Sequence, residues 1–109
     1  MLERAIGVAL TGKESRKYKL GAIGERSDGA IVKATNGGSA GCRTPQAHAE
    51  VRLSRKLDFG SVVYVARLLH SEAVALARPC VGCQMAMRNR GVSKCYYTIN
   101  SDEYGCIYL

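Results

Sequence analysis

The sequence has no apolar run long enough to cross a bilayer, no low-complexity tract and no internal repeat. Its first residues include Glu3 and Arg4 and lack the apolar core and cleavage site of a secretory signal. We therefore expect a cytoplasmic protein with no membrane partner.

The composition excludes disorder and fibrous architectures, since 47% of the residues are hydrophobic and 23% are charged. A chain of 109 residues suits one domain, which we predict to span residues 1–109. The net charge of +7 favours anionic partners such as nucleotides or nucleic acid, although a basic surface kept for solubility explains it equally well.

The five cysteines are an odd number, and no export signal accompanies them. A disulfide framework is therefore not expected. Cys80 and Cys83 form a Cys-x-x-Cys pair, which in a reducing compartment indicates a metal site or a redox use.

Hydrophobic periodicity and turn residues predict alternating helices and strands. Asp28-Gly29 between two apolar runs predicts a hairpin, and Thr44-Pro45 predicts the start of a helix. Gly91 provides a C-terminal stop for the helix that contains Cys80. The predicted helices cover residues 2–16, 45–57 and 80–89, and the predicted strands cover 20–25, 30–35, 61–69, 92–99 and 104–109.

The last two predicted strands are joined by only four residues, 100–103. This connection is too short for a crossover helix, so the two strands must be antiparallel. The predicted fold class is α/β, a three-layer sandwich with one mixed sheet of about five strands flanked by helices.

The strongest chemical signal combines His48-Ala49-Glu50 with Pro79-Cys80-Val81-Gly82-Cys83. One imidazole and two thiolates would give a tetrahedral Zn²⁺ three protein ligands and leave its fourth position open to water, as in catalytic zinc sites. Cys80 and Cys83 are three residues apart at the start of a predicted helix. That spacing places both sulfurs on one face, and the helix N-terminus favours thiolates.

Glu50 is two residues from His48 and is not needed as a ligand. It is therefore the candidate proton shuttle beside a metal-activated water. The motif pair resembles the signature of zinc-dependent nucleobase deaminases.

From residue 19 to the C-terminus the chain resembles the cytidine deaminase superfamily, which implies the same α/β fold and hydrolytic deamination of a base. Residues Gly21-Ala22-Ile23 and Asp28-Gly29 resemble the first hairpin of that family, and Ala34-Thr35-Asn36-Gly37 resembles a substrate-binding strand end. The resemblance implies that Asn36 and the Ala49 backbone contact the substrate and that the protein is a homo-oligomer.

The sequence leaves two classes of substrate open. The antiparallel final pair resembles enzymes of free nucleosides, whereas His-Ala-Glu resembles deoxycytidylate, polynucleotide and transfer-RNA members. Our first expectation is deamination of cytosine in a nucleoside or nucleotide, and the alternative is a deaminase of single-stranded DNA or RNA. Adenine is also an open target. Arg78 is the candidate substrate contact, and Arg88 and Arg90 are further candidates for a phosphate.

Other interpretations of the same residues are kept open. Cys42 would complete a closed Cys₃His site, which would make the protein a non-catalytic zinc-stabilised binding module. Cys95 and Cys106 are expected to be small core residues or facing thiols on the final two strands. His70 is expected to be a loop residue. The tyrosines of the strands are expected to pack on the sheet rather than bind a base.

Overall fold

A computed structural model describes residues 1–10, 18–35, 53, 56–69 and 73–109 of the chain. The predicted helix 45–57 therefore falls largely outside the described residues, as does the end of the first predicted helix. None of the helices in the described ranges is long and apolar enough to cross a membrane. The elements are α1 (Leu2–Leu10), β1 (Tyr18–Glu25), β2 (Ile31–Thr35), β3 (Val62–Leu69), β4 (Val74–Ala75), α2 (Val81–Asn89), β5 (Lys94–Thr98) and β6 (Tyr104–Tyr108).

The strands form one mixed sheet in the order β2-β1-β3-β5-β6, with β4 paired to β3 off this path. The β1–β2 and β5–β6 pairs are antiparallel hairpins, and β3 pairs in parallel with β5. The predicted α/β fold class, the first hairpin and the antiparallel final pair are thus confirmed. Within the described residues the sheet has six strands rather than about five, because β4, which we expected to be loop, adds a two-residue strand.

The two faces of the sheet bury different residues because side chains alternate along each strand. On one face, Ala5 of α1 packs with Ile23 and Ala66. The other face carries the larger cluster, in which Met87 of α2 packs with the strands and with Leu53 and Leu57. Helices therefore lie on both faces, as the sandwich architecture requires.

The contact between α1 and β1 depends on Gly21. A Cβ atom at this position would collide with the backbone of Ala5 and Ala9 in α1. Ala5 and Ala9 are themselves fully buried. Because all three of these residues are small, the helix backbone can approach the strand closely.

Asp58 joins the β1–β2 turn to the start of β3. Its carboxylate accepts hydrogen bonds from the Ser27 hydroxyl at 2.7 Å, the Ser27 backbone N–H at 3.1 Å and the Ser61 hydroxyl at 2.7 Å. These bonds favour the ionised form and, led by the bond from Ser61, lower the pKa of Asp58 from 3.8 to about 2.

Replacing Gly21 by valine should destabilise the fold by roughly 3 kcal/mol, because the α1 backbone cannot withdraw without opening the core beneath it. The matched change is Gly7→Ala, at an exposed position of α1 where an added Cβ meets nothing within 4 Å. It should raise stability by about 0.5–1 kcal/mol, since alanine is the better helix former. Urea unfolding of both variants measures the difference, and equal effects would contradict the close approach.

The hydrogen bonds to Asp58 should make stability fall at low pH. Because the pKa is lower in the folded state, the stabilisation is fully present above about pH 4. It is lost as the pH falls through the folded value of about 2. Urea midpoints between pH 6 and 2 should decline less steeply in Asp58→Asn, and Ser61→Ala should reduce the slope in part. An unchanged slope in both variants would show that Asp58 does not contribute.

Candidate metal centre

The centre begins at the N-terminus of α2, where Cys80 is the N-cap residue with φ −68° and ψ 168°. We predicted that Cys80 lies inside the first turn; it instead precedes the turn in an extended conformation. The Cys80 carbonyl accepts the first helical hydrogen bond from Gln84 N–H at 2.9 Å. The Gln84 side chain reaches back and donates through Nε2 to the Pro79 carbonyl at 2.9 Å. These two bonds fix the backbone on both sides of the Cys80 sulfur.

The two thiols lie together, as predicted, with their Sγ atoms 3.4 Å apart. A disulfide bond is about 2.05 Å long, so the pair is not joined covalently. Two sulfurs each about 2.3 Å from one tetrahedral Zn²⁺ are separated by about 3.8 Å, which is close to the observed spacing. Cys80 is exposed and Cys83 is fully buried. One sulfur is therefore held by the core while its neighbour faces the surface.

The segment before Cys80 is held at the carboxyl ends of the parallel strands β3 and β5. Thr98, the last residue of β5, is buried, and its hydroxyl donates to the Ala75 carbonyl at 2.8 Å. The Ala77 N–H donates to the Thr98 carbonyl at 2.8 Å. In open α/β sheets, ligands bind outside the carboxyl ends of the strands, so the thiols occupy the expected edge.

The far end of α2 is anchored independently. Gly91 N–H donates to Arg88 and Val92 N–H to Met87, at 3.0 and 3.1 Å. Together with the positive φ of 84° at Gly91, this is a Schellman motif, which confirms the predicted helix stop. Met87, which lies two residues before the last residue of α2, is fully buried in the larger core cluster. The helix is thus fixed at its stop and through its core face, which limits movement of the thiols.

Most other predicted site residues lie outside the described residues, namely Asn36, Cys42, His48, Ala49, Glu50 and His70. Their proposed roles stay predictions. Within the part of the chain that the structure describes, no three His, Cys, Asp or Glu side chains assemble into a metal site. Cys80 and Cys83 could supply two soft sulfur ligands of the kind that suits Zn²⁺, and such a site would need a further ligand from elsewhere in the chain.

The three candidate arginines lie at opposite ends of α2. Arg78 is exposed two residues before Cys80, at the thiol end. Arg88 lies in the last turn of α2 and Arg90 is its C-cap. At 1.5 Å per residue, these two begin about 12 Å from Cys80 along the helix axis. Arg78 is therefore the arginine of the three that lies at the thiol end.

Cys95 and Cys106, the other two cysteines within the described residues, do not face each other. Cys95 pairs with Ile107 and Cys106 pairs with Tyr96, so the two side chains lie on opposite faces of the sheet. Cys95 belongs to the buried cluster beneath α2, as expected of a core residue, whereas Cys106 is half-buried. The prediction of facing thiols is wrong because the hairpin register offsets them by one residue.

Thr98 and Gln84 position the thiol pair but were not singled out in the sequence. A threonine at a strand end usually favours only sheet structure, and its hydrogen bonds to residues 75 and 77 depend on β4. The role of Gln84 could have been predicted from the sequence. It lies five residues after Pro79, within the first turns of the predicted helix, where its side chain can reach back to the carbonyl groups before the helix.

Comparison with known proteins identifies the fold. No protein-family model matches the chain, and no curated protein matches it. Among solved structures, the cytidine deaminase from Mycobacterium tuberculosis matches with a TM-score of 0.56 and 18% identity over 90% of this chain and 80% of its own. A mutant cytidine deaminase from the same organism gives a TM-score of 0.57 and 19% identity, covering 90% of this chain and 81% of that one.

The cytidine deaminase from Mycobacterium leprae matches with a TM-score of 0.58 and 13% identity over 97% of this chain and 89% of its own. The chain therefore has the fold of the cytidine deaminase superfamily, as the sequence resemblance implied.

Removing either thiol of the centre should remove bound zinc. The wild-type protein purified with zinc should hold about one ion per chain, whereas Cys83→Ala and Cys80→Ala should lose most of it. Elemental analysis after dialysis measures the metal, and circular dichroism verifies that each variant is folded. Cys106→Ala, which changes a cysteine on the opposite face of the sheet, should keep its zinc. Retention of zinc in both thiol variants would exclude this centre.

Proposed function

We propose that the protein is a zinc-dependent deaminase that hydrolyses the cytosine base of a nucleoside or nucleotide to uracil and ammonia. His48, Cys80 and Cys83 are the proposed zinc ligands, and Glu50 is the proposed acid–base residue. The observation that carries the proposal is the pair of Sγ atoms 3.4 Å apart at the N-terminus of α2. That pair lies at the carboxyl edge of a sheet whose fold is shared with cytidine deaminases.

The order of the motifs along the chain supports the same assignment. A Cys-x-x-Cys pair alone fits redox proteins and structural zinc sites as well as enzymes. Preceded by Pro79 and by His48-Ala49-Glu50, it matches the deaminase signature in composition and order. Three ligands leave one coordination position for the reacting water, which a closed structural site does not.

Each residue then has a defined task. Zn²⁺, when bound, lowers the pKa of water so that hydroxide is available near neutral pH. The Glu50 carboxylate accepts a proton from the attacking water and passes it to the ring nitrogen beside the amino-bearing carbon. The water oxygen adds to that carbon, and Glu50 then accepts the second proton from the added hydroxyl group and donates it to the amino group. The bond to the amino nitrogen breaks, ammonia leaves and the carbonyl of uracil forms. Water and cytosine are consumed, and uracil and ammonia are formed.

The arrangement of charge favours a phosphorylated substrate. Arg78 is exposed at the thiol end of α2, two residues from Cys80. A guanidinium there would pair with a nucleotide phosphate through two parallel hydrogen bonds. Asn36 and the Ala49 backbone are the proposed contacts to the nucleoside. The net charge of +7 also suits single-stranded nucleic acid, which remains the second candidate substrate class.

Replacing Glu50 by glutamine should lower deamination by about 10²–10⁴-fold, because the amide cannot accept and return protons. Zinc content should stay at the wild-type level, since Glu50 is not a proposed ligand. The matched variant Glu103→Gln changes an exposed residue beside the β5–β6 turn and should keep full activity. Ammonia release from cytidine, deoxycytidine and their monophosphates provides the measurement. Wild-type activity in Glu50→Gln would exclude Glu50 as the acid–base residue, whereas wild-type protein that binds zinc but releases no ammonia would support a zinc-stabilised binding module.

The substrate class is decided in the same assay. Turnover of a free nucleoside or monophosphate without conversion of a single-stranded oligonucleotide supports the first candidate. Conversion of the oligonucleotide alone, with binding that weakens steeply as salt rises, supports the second.

A further inference from the structure

The two thiols of the candidate metal centre also have the arrangement of a pair that can be oxidised to a disulfide. Their Sγ atoms lie 3.4 Å apart, so an approach of about 1.4 Å would bring them to the bond length of about 2.05 Å. Cys80 is the N-cap of α2 and Cys83 lies in its first turn, a spacing at which two side chains share one face of a helix. A bond between the sulfurs can therefore form by rotation of two side chains, with the helix kept in place.

The two sulfurs differ in their access to solvent. Cys80 is exposed, whereas Cys83 is fully buried. The surface beside the exposed thiol is open, because a Cβ atom added at Gly82 would meet, among the described residues, only the Cys80 Sγ within 4 Å. A small oxidant can thus reach the first sulfur, while the second is shielded from solvent. An accessible thiol beside a second, resolving thiol is the arrangement of redox-sensitive cysteines.

The backbone around the pair favours a bond within the pair over a bond to another molecule. Gln84 Nε2 donates to the Pro79 carbonyl at 2.9 Å, directly before the exposed thiol. The Ala77 N–H donates to the Thr98 carbonyl at 2.8 Å, which fixes the chain three residues before Cys80. Groups that are already held side by side react far faster with each other than with a partner from solution.

Within the described residues, no other cysteine is placed to compete for the exposed thiol. Cys95 is fully buried, and its Sγ donates to the Tyr96 carbonyl at 3.6 Å. Cys106 lies on the opposite face of the sheet from Cys95. Cys42 lies outside the described residues, so a variant at that position is needed as a control.

Oxidation and zinc binding exclude each other because both use the same two sulfurs. A cysteine binds zinc as a thiolate, and a disulfide sulfur has lost that charge. Of the three proposed ligands, oxidation would leave only His48. Loss of the metal is therefore the expected consequence of the disulfide.

We propose that Cys80 and Cys83 are an oxidation site at which a hydroperoxide forms a reversible disulfide, expels zinc and stops catalysis. The effect on catalysis rests on the proposed function, whereas formation of the disulfide does not. The exposed position of Cys80 makes it the attacking sulfur, and the buried Cys83 is the resolving one.

The reaction takes two steps and consumes one peroxide. The Cys80 sulfur attacks one oxygen of hydrogen peroxide and the O–O bond breaks, which gives a sulfenic acid and, after uptake of a proton, one water. The Cys83 sulfur then attacks the Cys80 sulfur, and the sulfenic oxygen leaves as a second water after uptake of another proton. The two thiolates lose two electrons and the peroxide gains them. A dithiol reductant reverses the change by thiol–disulfide exchange.

Treatment of the zinc-loaded wild-type protein with hydrogen peroxide tests the switch. A chromogenic chelator should detect release of about one Zn²⁺ for each disulfide formed. Mass spectrometry of proteolytic peptides should locate that disulfide between Cys80 and Cys83. Dithiothreitol followed by zinc should restore both the thiols and the bound metal. Cys42→Ser should respond as the wild type does.

The order of the two steps is tested on metal-free protein with dimedone, which traps sulfenic acids. Peroxide should leave a trapped sulfenic acid on Cys80 in Cys83→Ser, where no resolving thiol is present. The matched variant Cys80→Ser should show little label on Cys83, because that thiol is buried. Circular dichroism verifies that both variants are folded. Equal labelling in the two variants would overturn the assigned roles.

Zinc that stays bound while peroxide oxidises other residues would overturn the switch. So would zinc release without a bond between Cys80 and Cys83, or a disulfide to Cys42 in its place. Ammonia release is measured on the same samples and should fall in proportion to the disulfide. Untreated protein that binds zinc but releases no ammonia contradicts the proposed function, while the disulfide and the released zinc still decide the switch.

Discussion

The Thr98 hydroxyl holds the separation between β3 and β5 on which the candidate centre depends. The parallel ladder between these strands ends after Val65 and Tyr97, and β4 then takes the place of β5 beside β3. The buried hydroxyl spans the gap by donating to Ala75 and accepting from Arg67 N–H at 3.3 Å. Removing this hydroxyl would delete both hydrogen bonds, each of which contributes about 0.5–1.5 kcal/mol.

The separation of β3 and β5 beyond the end of their ladder determines where α2 begins. Since Ala77 is bonded to the end of β5, only two residues separate this fixed point from Cys80. Pro79 is buried, and its carbonyl is held by Gln84. The chain can therefore enter the helix along one path, which sets the exposed sulfur of Cys80 beside the buried sulfur of Cys83. Such preorganisation benefits metal binding, because little ordering of the two thiols is left to the binding step.

The two faces of the sheet serve different purposes. The face beneath α2 has the larger core and supports the thiols, with Tyr97 lying over Gly105, where no side chain could be accommodated. The other face is covered by α1 only in part, and its tyrosines continue outward to β6. The thiol pair and the exposed tyrosines of β6 are thus associated with opposite faces of the sheet.

Local sequence determined much of this protein. The Asp28-Gly29 hairpin, the stop at Gly91 and the antiparallel final pair each follow from short-range constraints on turn geometry and chain length. The cysteine spacing determined that two thiols would share the start of a helix. These features need no information from distant residues.

Tertiary structure alone decided the features that depend on residues far apart in the chain. The two-residue β4 exists because β3 extends beyond β5, and propensity cannot reveal so short a strand. The register of β5 and β6 separated Cys95 from Cys106, since a shift of one residue reverses the face of every side chain. The close approach of α1 to Gly21 and the burial of Cys83 likewise arise from packing between distant segments. Periodicity predicts which side of a helix or strand is apolar, but not which element will cover it.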